Sequence, residues 1–191
     1  GDLLYIGGLG RDIGWSRNIK VTNAHFERSG RQGIAITGAE NVQILDSYIG
    51  DVSRTVIDLE PSTTGGGARN VLFQGNVFGP CRHLLLSSGG VGPNVDGISL
   101  IGNRLQGIGL KIKVRSADGA RRQSYRILDN ISEVRLGLPV PAVRFAHVDG
   151  IEVRDNYQVM NRDRSMIAVS ACASSEATVR DNAFPGARKH F

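Results

Sequence analysis

The segment Gly150-Ile-Glu-Val-Arg-Asp-Asn-Tyr-Gln158 alternates apolar with polar residues and then reaches Asp-Asn, and six other segments of the 191-residue chain follow the same pattern. They are Asn18-Ile-Lys-Val-Thr-Asn-Ala-His-Phe26, Asn41-Val-Gln-Ile-Leu-Asp-Ser-Tyr-Ile49, Asn70-Val-Leu-Phe-Gln-Gly-Asn-Val-Phe78, Gly97-Ile-Ser-Leu-Ile-Gly-Asn-Arg-Leu105, Ser124-Tyr-Arg-Ile-Leu-Asp-Asn-Ile-Ser132 and Glu176-Ala-Thr-Val-Arg-Asp-Asn-Ala-Phe184. Successive copies start 23, 29, 27, 27, 26 and 26 residues apart. A unit of this length cannot bury its apolar face alone, so the copies must stack on one another.

Between the copies runs a second segment with period-two alternation: Gly33-Ile-Ala-Ile-Thr37, Val56-Ile-Asp-Leu-Glu60, His83-Leu-Leu-Leu-Ser87, Gly109-Leu-Lys-Ile-Lys113, Ala142-Val-Arg-Phe-Ala146 and Met166-Ile-Ala-Val-Ser170, with Leu3-Leu-Tyr-Ile6 ahead of them. No stretch keeps a helical period between caps, so each repeat is read as two or three short strands. The expectation is an all-β parallel solenoid of about seven coils, with about 26 residues per coil, forming one domain over residues 1–191.

Composition agrees. Glycine supplies 25 residues, which favours many turns over long helices, and 40% apolar with 21% charged residues suits a globular chain with a real core. No apolar run is long enough to span a bilayer, so no membrane partner is expected. The net charge of +5 favours an anionic partner, but the basic residues form no polybasic tract. Gly65-Gly-Gly67 lacks the Lys-Ser/Thr and the helix of a phosphate loop, so neither nucleotide nor nucleic acid is expected as a partner. Cys81 and Cys172 fall three coils apart, about 14 Å by strand spacing, too far for a disulfide, and both are expected as free thiols.

The seventh position of the motif is Asn in five successive copies, Asn76, Asn103, Asn130, Asn156 and Asn182, after Ala24 and Ser47. Stacked at a strand spacing of about 4.8 Å, these amides would form a hydrogen-bonded ladder inside a sharp turn. The alternative is that asparagine serves there only because it tolerates a left-handed backbone. With the pattern Asn-Val-x-Ile-x-x-Asn-x-Phe followed by Gly-Ile-x-Ile, the whole chain resembles the right-handed parallel β-helix proteins of the pectate lyase-like superfamily. That resemblance implies a right-handed coil, a substrate groove on the face of the second strand, and a secreted or cell-surface location. It leaves function open among lyases, hydrolases, epimerases and non-catalytic fibre or adhesin modules. The chain begins on a strand and stops shortly after Phe184, so a piece of a longer protein is expected, its solenoid ends capped by flanking sequence or a partner chain.

Alternation directs Ile34/Ile36, Ile57/Leu59, Leu84/Leu86, Leu110/Ile112, Val143/Phe145 and Ile167/Val169 inward. It leaves an outward column of Tyr5, Ala35, Asp58, Leu85, Lys111, Arg144 and Ala168, flanked by Thr37, Glu60, Ser87, Lys113, Ala146 and Ser170. Asp58 and Glu60, alternate residues of one strand, have Cα atoms roughly 6.6 to 7 Å apart. They are open to two roles: oxygen ligands of a Ca²⁺ that bridges to a uronate carboxylate, or an acid and base near the separation of an inverting glycosidase. Exposed strand carboxylates that merely discourage edge pairing are the plain alternative. Lys111, Lys113 and Arg115, with Arg144 on the next coil, form a cationic stripe able to grip acidic sugars and to supply a base. His83 is a candidate acid between the levels of Asp58 and Lys111, Tyr5 a candidate sugar platform, and His25 is read as structural. Gly7–Arg17 with Trp15, Pro61–Arg69, and Ser116–Gln123 with Arg121 and Arg122 are candidate groove walls. The expected partner is an acidic polysaccharide, acted on by β-elimination or C5 epimerisation, with hydrolysis or simple binding as alternatives.

Overall fold

The computed structural model describes residues 1–7, 14–136, 142–160 and 168–185, and its regular elements are all β-strands. The chain runs repeatedly through three parallel sheets. Sheet A contains Leu4–Ile6, Ile34–Ile36, Ile57–Leu59, Leu86–Ser88, Ile112–Val114, Val143–Ala146 and Val169–Cys172. Sheet B contains Ser16–Thr22, Gly38–Leu45, Gly67–Gln74, Val95–Ile101, Arg122–Leu128, Val148–Arg154 and Ser175–Arg180. Sheet C contains His25–Ser29, Tyr48–Val52, Val77–Phe78, Arg104–Leu105, Ile131–Leu136 and Tyr157–Met160. With seven strands in two sheets and six in the third, the seven repeats make about six turns of a parallel solenoid.

Each nine-residue motif breaks into a sheet B strand and a sheet C strand, and the break is the turn that holds the asparagines. Every amide oxygen accepts the backbone N–H of the ladder residue one coil earlier, from Ser47 N to Asn76 at 3.0 Å through Asn156 N to Asn182 at 3.0 Å. Every Nδ2 from Asn76 to Asn156 donates to the next asparagine's Oδ1, at 2.9 to 3.1 Å. These four amides and that of Asn182 also donate back to sheet B carbonyls: Ile44, Phe73, Leu100, Ile127 and Val153 in turn. Asn76, Asn103, Asn130 and Asn156 are buried to within 1%. The left-handed position is the residue before them: Asn23, Asp46, Gly75, Gly102, Asp129, Asp155 and Asp181 have φ from 48° to 66°. The ladder therefore exists for its hydrogen bonds, and the backbone twist is taken by short polar residues and glycine next door.

A second left-handed column crosses sheet B at the first motif position, Asn18, Asn41, Asn70, Gly97, Ser124, Gly150 and Glu176, with φ from 50° to 67°. Two of its side-chain amides bond between coils, Asn41 to Asn18 at 3.1 Å and Asn70 to Asn41 at 3.2 Å.

The core lies between the sheets. Leu4, Ile34, Ile57, Leu86, Ile112, Val143 and Val169 form one inward row of sheet A, and Ile6, Ile36, Leu59, Ser88, Val114, Phe145 and Ala171 the other. The expected pairs hold for three coils and are shifted by two residues elsewhere. Leu84/Leu86 becomes Leu86/Ser88, and Leu110/Ile112 becomes Ile112/Val114; Ile167/Val169 becomes Val169/Ala171, although Ile167 and Met166 lie outside the described residues. The turn from sheet C into sheet A does not lengthen: Leu86 follows Val77 by nine residues, as Ile57 follows Tyr48, and Ile112 follows Arg104 by eight. The turns ahead of Leu86 and Ile112 carry fully buried Leu85 and Leu110, so apolar residues run through the turn and do not mark where the strand starts.

Arg122 interrupts the inward rows. It stands in register with Val148 on the core side of sheet B and is 0% exposed, so it is no part of a loop wall. Its guanidinium donates to Ser88 O, Ser88 Oγ and Gly89 O, while Nε has no partner. The groups it serves have other options: Arg115 N also donates to Ser88 O, the Tyr125 hydroxyl pairs with Ser88 Oγ at 2.8 Å, and Gly89 is half-buried. Desolvating a guanidinium with no carboxylate within 4 Å among the described residues is costly, and an apolar residue of similar length avoids that cost. Arg122→Met is therefore expected to stabilise the protein by about 1–2 kcal/mol in urea unfolding. A loss of stability would mean that the carbonyl contacts outweigh the buried charge.

Candidate functional site

Register turns the outer face of sheet A into one row: Tyr5, Ala35, Asp58, Ser87, Lys113, Arg144 and Ser170. Two expected members, Leu85 and Lys111, are displaced from it by the same two-residue shift, and Ala168 gives way to Ser170. Leu85 is 0% exposed in the core, and Lys111 is half-buried near Cys81 at the entrance to the strand. Thus Ser87 separates Asp58 from the first cation of the row, Lys113, about 9.6 Å away at two strand spacings.

Asp58 is 6% exposed. Its Oδ2 accepts the Gln32 side-chain amide at 2.6 Å, and Gln32 Oε1 is itself fixed by the Thr55 N–H at 3.0 Å. Arg31 reaches over this pair, donating to Asp2 Oδ2 and Glu60 Oε1, both at 3.1 Å. Burial, and then the neighbouring Glu60 charge, push the Asp58 carboxyl up to about 6, against smaller opposing effects of the Ser87 hydroxyl and Arg31. The two sequence-paired carboxylates thus occupy different surroundings: Asp58 is a buried acid that protonates near neutrality, and Glu60 is half-buried in an ion pair.

Gln32, Arg31, Asp2 and Ser87 belong to this cluster and carry no mark in the sequence. The first three sit in turns or at the chain start, where alternation says nothing. Ser87 was hidden because Leu84 and Leu85 read as strand; the signal for it is the equal spacing, since Leu86 follows Phe78 by eight residues as Ile57 follows Ile49.

Lys113 and Arg144 are register partners, and both are exposed, as is Arg115 two residues along. Among the described residues none of these three, nor Arg54 or Arg82 in the turns leading into sheet A, pairs with a carboxylate. His83 lies in that turn ahead of the strand, exposed, its N–H bonded to Arg54 O at 3.2 Å; it is at the expected level along the axis but off the row. Tyr5 is 47% exposed at the end of the row, its hydroxyl bonded to Thr37 Oγ1 at 2.7 Å.

Trp15 is half-buried, pinned by its Nε1–H to Gly65 O at 2.9 Å and covered by Arg69 at 5.0 Å from the ring, so it braces the turn between sheets A and B. His25 faces outward from sheet C and stacks on Tyr48 at 4.6 Å, away from Asp58. Both cysteines are free: Cys81 bridges to Val52 in the turn before its strand, and Cys172 ends sheet A.

Among the described residues no three His, Cys, Asp or Glu side chains converge as metal ligands. Calcium takes six to eight oxygens, whereas Asp58 is engaged by Gln32 and Glu60 by Arg31. This donor set does not fit a calcium ion.

Compared with protein-family models, curated proteins and solved structures, the chain matches none.

Proposed function

We propose that the outer face of sheet A binds an acidic, uronate-bearing polysaccharide along the solenoid axis and acts on it by β-elimination or C5 epimerisation, as a member of the pectate lyase-like superfamily working outside the cell. The observation that carries this reading is one row that joins a buried carboxyl with a pKa of about 6 to exposed cations that have no carboxylate partner among the described residues. Arg144 and Arg115 would hold sugar carboxylates and offset the charge that develops when the C5 proton leaves. Lys113, between them and Ser87, would take the C5 proton as the base, and Asp58 in its protonated form would return a proton. In elimination, the C5–H bond breaks towards the base, a C4=C5 double bond forms, and the C4–O4 bond breaks as O4 takes the Asp58 proton. In epimerisation, the proton returns to C5 from the opposite face.

One observation favours a second reading, hydrolysis. Asp58 and Glu60 have the raised acid and the ionised partner of an inverting pair, with Cα atoms roughly 6.6 to 7 Å apart.

The deciding experiment incubates the protein with polygalacturonate, alginate and glycosaminoglycans, with calcium or chelator, while ultraviolet absorbance and reducing ends are followed together. The expected result is absorbance rising with reducing ends and lost in Asp58→Asn. Reducing ends without absorbance would establish the hydrolytic pair. If both stay flat on every substrate and no C5 inversion appears by NMR, the catalytic reading fails.

A further inference from the structure

The outer face of sheet C carries a different row, in register from coil to coil: His25, Tyr48, Val77, Arg104, Ile131 and Tyr157. Ile131 is 51% and Tyr157 39% exposed on adjacent coils, two of the four large apolar side chains left exposed among the described residues. The surface beside Tyr48 is stripped of side chains by Gly50 and Gly79. A Cβ on Gly79 would come within 2.4 Å of the Tyr48 hydroxyl, and one on Gly50 within 2.6 Å, so the two glycines let this side chain lie along the sheet. Two depressions open along the row. One of about 450 Å³ is lined by His25, Tyr48, Val77 and the polar turn residues Asn23, Asp46 and Ser47. The other, of about 400 Å³, is lined by Arg104, Gln106, Ile131 and Val134. Volumes of this size, lined by apolar and polar groups together, suit small ligands or single units of a polymer.

We infer that this face is a binding strip for a linear, neutral polysaccharide, lying parallel to the solenoid axis and separate from the row that contains Asp58. The strip's shape argues for a polymer. It offers about one side chain per coil over six strands, roughly 300 Å² by strand spacing, whereas a stable protein partner needs about 800 Å² per side. A chain of pyranose rings has a rise close to the strand spacing, so each sugar meets one coil, and apolar sugar faces rest on Ile131 and Tyr157. Charge argues for neutrality. Exposed Asp46 and Asp129 border the row, and Arg104 is its only cation apart from what His25 contributes when protonated. A polyanion would meet the carboxylates here, while sheet A offers Lys113, Arg115 and Arg144. The strip does not depend on the chemistry proposed for sheet A.

The test is calorimetric titration of the whole chain with cello-, xylo- and mannohexaose, alongside their disaccharides and a hexauronate. Tyr48 to Ile131 spans three coils, roughly 14 Å, so a hexasaccharide reaches both depressions and a disaccharide only one. At least one neutral hexasaccharide is expected to bind, its disaccharide about tenfold or more weakly. Ile131→Ser and Tyr157→Ser, exposed positions whose melting temperatures should barely move, are each expected to weaken it by about tenfold. The double variant Lys113→Ala/Arg144→Ala should leave it unchanged and weaken only the hexauronate. The inference is overturned if no neutral hexasaccharide binds at millimolar concentration, or if binding is insensitive to both sheet C variants. It is equally overturned if the hexauronate binding depends on sheet C, or if sedimentation shows a self-association that Ile131→Ser and Tyr157→Ser abolish.

Discussion

Asn130→Ala is expected to destabilise the protein by about 3–5 kcal/mol, the largest effect of any single substitution outside the apolar core. Its Oδ1 accepts Asn103 N at 3.1 Å and Asn103 Nδ2 at 2.9 Å, and its Nδ2 serves Leu100 O, Leu128 O and Asn156 Oδ1 at 2.9 to 3.0 Å. Alanine leaves these groups buried with fewer partners, each orphan costing about 1–3 kcal/mol before relaxation. The comparison that makes the number meaningful is Asn182→Ala. Asn182 makes the same bonds to Asn156 but sits half-buried on the last described coil, where water replaces the lost amide. A cost of about 1 kcal/mol is expected there. Urea unfolding of both variants measures the difference, and equal costs would show that the ladder is no stronger inside than at its end.

Asp58→Asn should sharply reduce the proposed turnover and at the same time stabilise the fold at pH 7. The sign follows from the raised carboxyl. Between its ordinary value of 3.8 and about 6 the folded protein holds a proton that the unfolded chain releases, so stability falls as pH rises through this window and is flat above it. The full change is about 3 kcal/mol, at 1.36 kcal/mol per unit. The asparagine variant keeps an oxygen for the Gln32 amide and never ionises, so its stability should be level from pH 4 to 7 apart from other groups. Denaturant midpoints of the two proteins across that range check this. If the parent shows no loss between pH 4 and 6 relative to the variant, Asp58 is not the buried acid described. On activity, loss of a proton donor costs about 10²–10⁴-fold. A variant that gains stability while losing turnover would mark Asp58 as a residue held against the interests of the fold.

The repeat was legible because stacking imposes one residue type on each position: five asparagines in one register pointed to a ladder over a mere left-handed turn, and the hydrogen bonds deliver it. The parallel solenoid, its three-strand repeat and the free cysteines follow from the same regularity. What escaped was register where apolar residues run past the strand. Leu84 and Leu85 are as apolar as a strand, and the backbone pairing of Leu86 with Ile57 and Ile112 shows that they belong to the turn. That slip of two residues moved Lys111 into a row that Lys113 occupies. Arg122 escaped for the opposite reason, since a charged residue after Arg121 reads as surface, and nothing local reports that Ser88 and Gly89 wait inside with their oxygens. The partners of Asp58 were equally silent, because Gln32 and Arg31 come from another coil's turn.

The ladder also bears on how such a chain changes length over evolution. Each asparagine receives one bond pattern from the coil before and hands an identical one to the coil after, with periods of 27, 27, 26 and 26 residues from Asn76 to Asn182. Excision of the 27 residues from Asn103 to Asp129 would bring Asn76 N against Asn130 Oδ1, a junction chemically the same as the two it replaces. A deletion of one residue within a sheet B strand would turn its side chains to the wrong face. Gain or loss of whole coils is therefore the gentle path for this lineage and slippage within a coil the harsh one. The span of the outer faces, and with it the length of any ligand laid along them, becomes a quantity adjustable in steps of one strand spacing.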